Sequence, residues 1–147
     1  MNIKLFYVKI IIILFLPLLF FYKSLIIKET ITIPDINNIL NIEIYNDYNN
    51  NYTHSIIKDY KDILPIHNII LSSKKKQIKS VNDTPNNING KLIKIIFNTN
   101  TNTSLTLFLY KNYKNKYYIE KPYEGIYEIS KKEYRTFMEY VKFNSFS

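Results

Sequence analysis

The polarity of the chain changes character near residue 28. Ile10 to Tyr22 is an unbroken apolar run of thirteen residues, preceded by Lys4 and Lys9 and followed by Lys23. Counted from Leu5, with the Lys9 stem laid along the helix, the run is eighteen residues, or about 27 Å of helix. That is just long enough to span a bilayer. Phe20, Phe21, Tyr22, Lys23 and Ser24 stand where a signal peptidase needs small residues. Residues 1–28 therefore read as an uncleaved signal anchor; the alternative is a cleaved signal peptide and a secreted product. Pro17 is tolerated in a membrane helix. Lys4 and Lys9 balance Lys23 and Lys28, so charge does not set the orientation. A signal-like start before one soluble domain favours the domain outside the cell.

From Glu29 onward, apolar and polar residues alternate between polar turns. Thr30–Ile33 and Leu40–Tyr45 read as strands split by Pro34-Asp35, with Ile42 and Ile44 on one face. Asn46 to Asn51 is a turn and Tyr52–Ile57 the returning strand. Asp59 is a candidate N-cap for a helix to about Ser73 with the stripe Ile63, Ile66, Ile70, Leu71. Pro65 either kinks that helix or delays its start to Leu64. Lys74-Lys75-Lys76 would end it with the charge its dipole prefers. Gln77–Val81 is strand or loop, and Asn82 to Asn87 is turn chemistry.

The second half is more regular. Lys91–Asn98 places Ile93, Ile95 and Phe97 on one face, and the polar loop Asn98–Thr103 leads into Ser104–Lys111. There Leu105, Leu107 and Leu109 oppose Phe108 and Tyr110. Lys116–Lys121 and Ile126–Ile129 follow, separated by a turn at Pro122 to Gly125. Ser130 and Glu133 form an S-x-x-E capping box for a helix to about Lys142 that buries Tyr134, Phe137, Met138 and Val141. The sum is an α+β domain at 29–147: a mainly antiparallel sheet, a meander of hairpins, with two helices packed on it, behind a transmembrane or signal helix at 1–28.

Composition narrows the chemistry. With no Cys, a disulfide framework, a thiolate metal site and a Cys nucleophile are excluded. Two Gly residues leave no Gly-rich phosphate loop. Ile, Asn, Lys and Tyr dominate, as AT-rich codons favour, which weakens arguments from Lys abundance. The net charge is +8, but Lys4, Lys9, Lys23 and Lys28 stand in 1–28 without an acid, so half of it flanks the membrane segment. The domain is only mildly basic, and nucleic acid is not an expected partner.

Candidate catalytic groups are few. His54 and His67 lack a second ligand at metal-site spacing and read as half-exposed side chains. Glu120, Glu124 and Glu128 fall on strand, turn and strand, where they read as solvent-facing charges rather than a paired-carboxylate site. Ser72 with Lys75 and Ser73 with Lys76 match S-x-x-K only as a Lys-rich helix end does by chance. The sequons at Asn51, Asn82 and Asn102 are expected at random in so Asn- and Thr-rich a chain. No catalytic, metal or cofactor residues are assigned. Lys111, Tyr113, Lys114, Lys116, Tyr117 and Tyr118 interleave charge with aromatic rings, a pattern compatible with a sugar polymer or single-stranded nucleic acid, although half of them belong to the core if they lie on strands.

The strings Ser80-Val81-Asn82-Asp83-Thr84-Pro85-Asn86, Leu105 to Lys111, and Lys116-Tyr117-Tyr118-Ile119-Glu120-Lys121-Pro122-Tyr123-Glu124-Gly125-Ile126-Tyr127-Glu128-Ile129 resemble a family of uncharacterised clostridial proteins, domain of unknown function 5301. The resemblance covers roughly residues 29 to 142, and its markers lie in 80 to 130. It implies an N-terminally anchored or secreted domain of a Gram-positive cell, with no established activity or catalytic residue to carry over. The loop Asn98–Thr103 lacks the Gly expected there.

Pro122 and Gly125 read as bracketing a turn with restricted φ at one end and permissive φ at the other. Tyr118, Lys121, Tyr123 and Tyr127 around it are the candidate recognition surface, with the three tyrosines closing the end of the sheet. The expected function is a membrane-tethered extracytoplasmic binding module without enzymatic activity, held by residues 5–22. Its partner would be a protein or an anionic envelope polymer. An inhibitor or immunity-type protein acting on a partner enzyme is the alternative.

Overall fold

Apolar alternation and tertiary pairing together set the architecture. The computed structural model describes residues 30–48, 51–76, 79–86 and 88–144; the expected membrane segment lies outside them. Among the described residues no helix is long and apolar enough to cross a membrane. The strands are β1 (Ile39–Tyr48), β2 (Asn51–Ile57), β3 (Lys74–Lys75), β4 (Leu92–Thr99), β5 (Ser104–Lys111), β6 (Tyr117–Lys121) and β7 (Gly125–Ile129). Helix α1 is Tyr60–Ser72 and α2 is Lys131–Asn144. The seven strands form one sheet in the order β2-β1-β4-β5-β6-β7-β3, with every neighbouring pair antiparallel.

Period-two alternation divides the sheet into two faces. Ile42, Ile44, Ile93, Ile95, Phe97, Leu107, Leu109, Ile119, Tyr127 and Ile129 point to one side and are buried there. Ile63, Ile66, Ile69 and Ile70 of α1 and Phe137 and Val141 of α2 close the same core. Ser130 and Glu133 form the expected capping box: the Glu133 carboxylate accepts from the Ser130 amide at 2.7 Å, and the Glu133 amide donates to Ser130 Oγ at 3.1 Å. Burial pushes the Glu133 carboxyl up, but its hydrogen bonds from Ser72 and Ser130 outweigh this and hold it below the ordinary value.

Several local expectations give way to tertiary structure. Thr30–Ile33 is not a strand. Ile31 is buried, and side chains meet the backbone here: Lys121 Nζ donates to the Thr32 carbonyl at 2.9 Å, and His67 Nε2 lies 3.0 Å from the oxygen of Pro34, just past the segment. His67 is therefore buried, not half-exposed. β1 runs through the expected turn as far as Tyr48, because it is a central strand with ladders on both sides. Its register shifts between Ile39 and Asn41, and Leu40 is left exposed. Pro65 lies inside α1, where it forgoes one helical hydrogen bond. Asp59 caps with its backbone only. Lys74 and Lys75 do not end the helix; they form the short edge strand β3 against Glu128 and Tyr127.

The turn after β6 also differs. Tyr123 takes the left-handed φ of 62°, while Gly125 begins β7 opposite Lys121. A Cβ on Gly125 would lie 3.3 Å from Lys75 Cε, so this glycine leaves room for the Lys75 side chain of β3. In the loop after β4, Asn102 supplies the left-handed residue at φ 56° in place of the absent glycine. The hydroxyls of Thr99 and Thr103 meet at 2.8 Å beside it.

Candidate functional site

The chain passes over both faces of the sheet. α1 crosses the apolar face from the β2 edge to β3, and residues 79–86 and 88–90 lie across the opposite face on the way to β4. This strap is pinned at several points. Ser80 Oγ donates to Glu120 Oε1 at 2.7 Å, Tyr123 OH donates to the Asp83 carboxylate, and the Asn89 amide donates to the Lys111 carbonyl at 2.7 Å. Glu120 also accepts from Tyr110 OH at 2.9 Å, and all three residues of this group are buried. Burial, then the bond to Glu120, pushes the Tyr110 hydroxyl far above its ordinary value, so it stays a donor. The expectation of a solvent-facing Glu120 is thereby corrected, since the strap covers it.

Only half of this face is closed. Over β2, β1 and β4 the outward residues are His54, Ile56, Glu43, Tyr45, Lys94, Ile96 and Asn98, which the register places as cross-strand neighbours. Glu43 is the hub. Tyr45 OH donates to its Oε2 at 2.6 Å, and Asn98 Nδ2 donates to its Oε1 at 2.7 Å and to Asn41 Oδ1 at 2.8 Å. His54 Nε2 lies 3.2 Å from Glu43 Oε2. The His54 ring stacks on Tyr45 at 4.4 Å between centroids and 14° between planes, and Lys94 Nζ stands 5.8 Å from the Tyr45 centroid. The Tyr45 hydroxyl first, and the Asn98 amide second, hold the Glu43 carboxyl below the ordinary carboxylate range, against the opposing effect of burial. The result is an ionised carboxylate fixed among donors, beside an aromatic platform and a lysine, on an accessible sheet surface. Such a surface can bind and orient a partner through hydrogen bonds and ring contact.

The four residues expected as a recognition surface have different surroundings, although Lys121 and Tyr127 both reach Glu124. Tyr118 is half-buried beside Tyr110, with ring centroids 5.8 Å apart. Lys121 holds Thr32 and pairs with Glu124. Tyr123 is 68% exposed in its turn, and Tyr127 is in the core with its hydroxyl 3.2 Å from Glu124. Of the other carboxylates singled out, Glu128 pairs with Lys76 at 2.5 Å and with Lys116 at 3.7 Å. Among the described residues no group of three or more His, Asp or Glu is placed to hold a metal. The Glu43 cluster was missed. The alternation places Glu43 and Tyr45 away from Ile42 and Ile44, but nothing local ties them to His54, Lys94 or Asn98.

The strap and the turn it meets carry two of the three strings that resemble a known family, and the fold joins them directly through Ser80–Glu120 and Asp83–Tyr123. The NMR structure of a protein from Ruminococcus gnavus matches with a TM-score of 0.58 at 30% identity, over 71% of this chain and 99% of that one. No curated protein matches. The model of the family DUF5301, described as Domain of unknown function (DUF5300), matches residues 27–128, from before β1 into β7, and leaves α2 outside the match. The chain belongs to this family of unknown function.

Proposed function

We propose that this chain is a binding module, tethered to the membrane by residues 5–22 with its domain outside the cell, and that a protein partner docks on the open half of the sheet around Glu43. The observation that carries this reading is the unequal treatment of one sheet face. Over β5 and β6 the strap covers the buried Tyr110 and Glu120, whereas over β2, β1 and β4 the exposed His54, Ile56 and Lys94 surround a hydrogen-bonded carboxylate and a stacked Tyr–His pair. A surface left open by neglect would not need three donors converging on one carboxylate. The reading is of binding rather than catalysis, because both oxygens of the Glu43 carboxylate are engaged by its own neighbours. An inhibitor or immunity-type role is a special case of the same docking.

Affinity capture from solubilised membranes tests this, comparing the full chain with a Tyr45→Ala, Lys94→Glu variant. One stoichiometric partner held by the parent chain and lost by the folded variant is expected. Equal capture by both, or none by either, would contradict the proposal. An anionic envelope polymer in place of a protein would show as salt-sensitive retention of the chain on that polymer.

A further inference from the structure

The two edges of the sheet are built differently. β3 has two residues, Lys74 and Lys75, both exposed. A strand approaching there finds two residues of ladder and two ammonium groups, which is how soluble proteins guard an edge. β2 is seven residues long, Asn51–Ile57, with no Pro and no charged residue. It pairs with β1 in unbroken register from Ile42↔Ile57 to Tyr48↔Asn51, and β1 is its one strand neighbour among the described residues. Among the described residues no bulge or cation within the strand blunts it, and Ile56 stands 48% exposed on the same face as His54.

We propose that β2 pairs antiparallel with β2 of a second copy of this chain, across a two-fold axis through His54, so that two seven-stranded sheets become one. His54 is the central residue of the strand, so this register gives each of the seven residues a mate, Asn51 opposite Ile57 of the other copy. A strand without Lys, Arg, Asp or Glu meets its own copy without the repulsion of permanent like charges. The same pairing at β3 would set lysine against lysine. A head-to-tail β2-to-β3 contact, which would grow a filament, has two residues of ladder and both lysines against it. The assembly therefore closes at two copies. An axis perpendicular to the sheet turns both Glu43 clusters to the same side, which doubles the open face. The dimer is independent of what that face binds.

The chain has no Cys, so a cysteine placed at 54 can link only to its own counterpart. Directly opposed residues of an antiparallel pair have Cα atoms about 4.5–5.5 Å apart, within disulfide reach. Full-length His54→Cys in detergent is expected to form a linked dimer on mild oxidation, whereas Arg135→Cys, exposed on α2, is not. Adding Ile56→Lys, an edge guard, is expected to abolish the link while circular dichroism stays unchanged. Sedimentation equilibrium of the unmodified chain should show a dimer. A monomer there, a link that survives Ile56→Lys in the folded protein, or equal linking through position 135 would overturn the proposal; so would an edge occupied by a strand of some other protein.

Discussion

Ser80 Oγ donates a 2.7 Å hydrogen bond to Glu120 across forty residues of sequence, and both groups are buried. With Tyr110 OH on the other carboxylate oxygen at 2.9 Å, the bond fixes the strap over half of the sheet face and so defines which half remains open. The two most distinctive strings of the chain are joined here, which gives them a shared structural reason.

Removing the carboxylate strands two buried hydroxyls. Glu120→Ala is expected to cost about 2–4 kcal/mol and Tyr110→Phe about 1–2 kcal/mol, read as shifts of the urea midpoint. Amide exchange should accelerate first in residues 79–86 for Glu120→Ala. Uniform acceleration across all strands would show that the strap is not an independent unit.

Glu43 gives the stability a pH dependence of known sign. Its carboxyl is depressed in the folded state, chiefly by the Tyr45 hydroxyl and then by Asn98. Its contribution is therefore present above the unfolded-state carboxylate value and is lost as pH falls through the depressed one. Glu128, lowered mainly by its bond from Lys76, acts in the same direction. Glu43→Gln should flatten part of the acid limb of a stability–pH curve and leave the Glu128 share. An unchanged acid limb would mean that the Glu43 network does not form in solution.

Pro65 costs α1 one hydrogen bond, because its nitrogen has no proton for the Lys61 carbonyl. Pro65→Ala is expected to raise stability by roughly 1–2 kcal/mol, after allowing for the looser unfolded chain. Thermal melts decide it; a loss would show that the ring packing outweighs the missing bond.

Legibility tracked the range of the forces. β4, β5 and the capping box of α2 were readable, because period-two alternation and S-x-x-E act within a few residues. β3 was not, because two lysines become a strand only through Glu128 and Tyr127 of β7. Thr30–Ile33 has strand composition, yet Lys121 takes the Thr32 carbonyl and His67 meets the next one outside it, at Pro34. In the β6–β7 turn the positive φ falls on Tyr123, where chemistry alone would have assigned it to Gly125. The candidate site was the least legible. Asn98 lies 55 residues from Glu43, and only the β1–β4 register brings them together. The tyrosines grouped by proximity in sequence were divided between the two faces by that same alternation.

Site-specific photo-crosslinking in intact cells tests the docking surface most directly. A photoreactive residue is placed at Lys94, on the open face, or at Arg135, exposed on α2. The account predicts one discrete crosslinked partner from position 94 and none from position 135. Crosslinks from 135 alone, or the same products from both, would contradict an open sheet face built for binding.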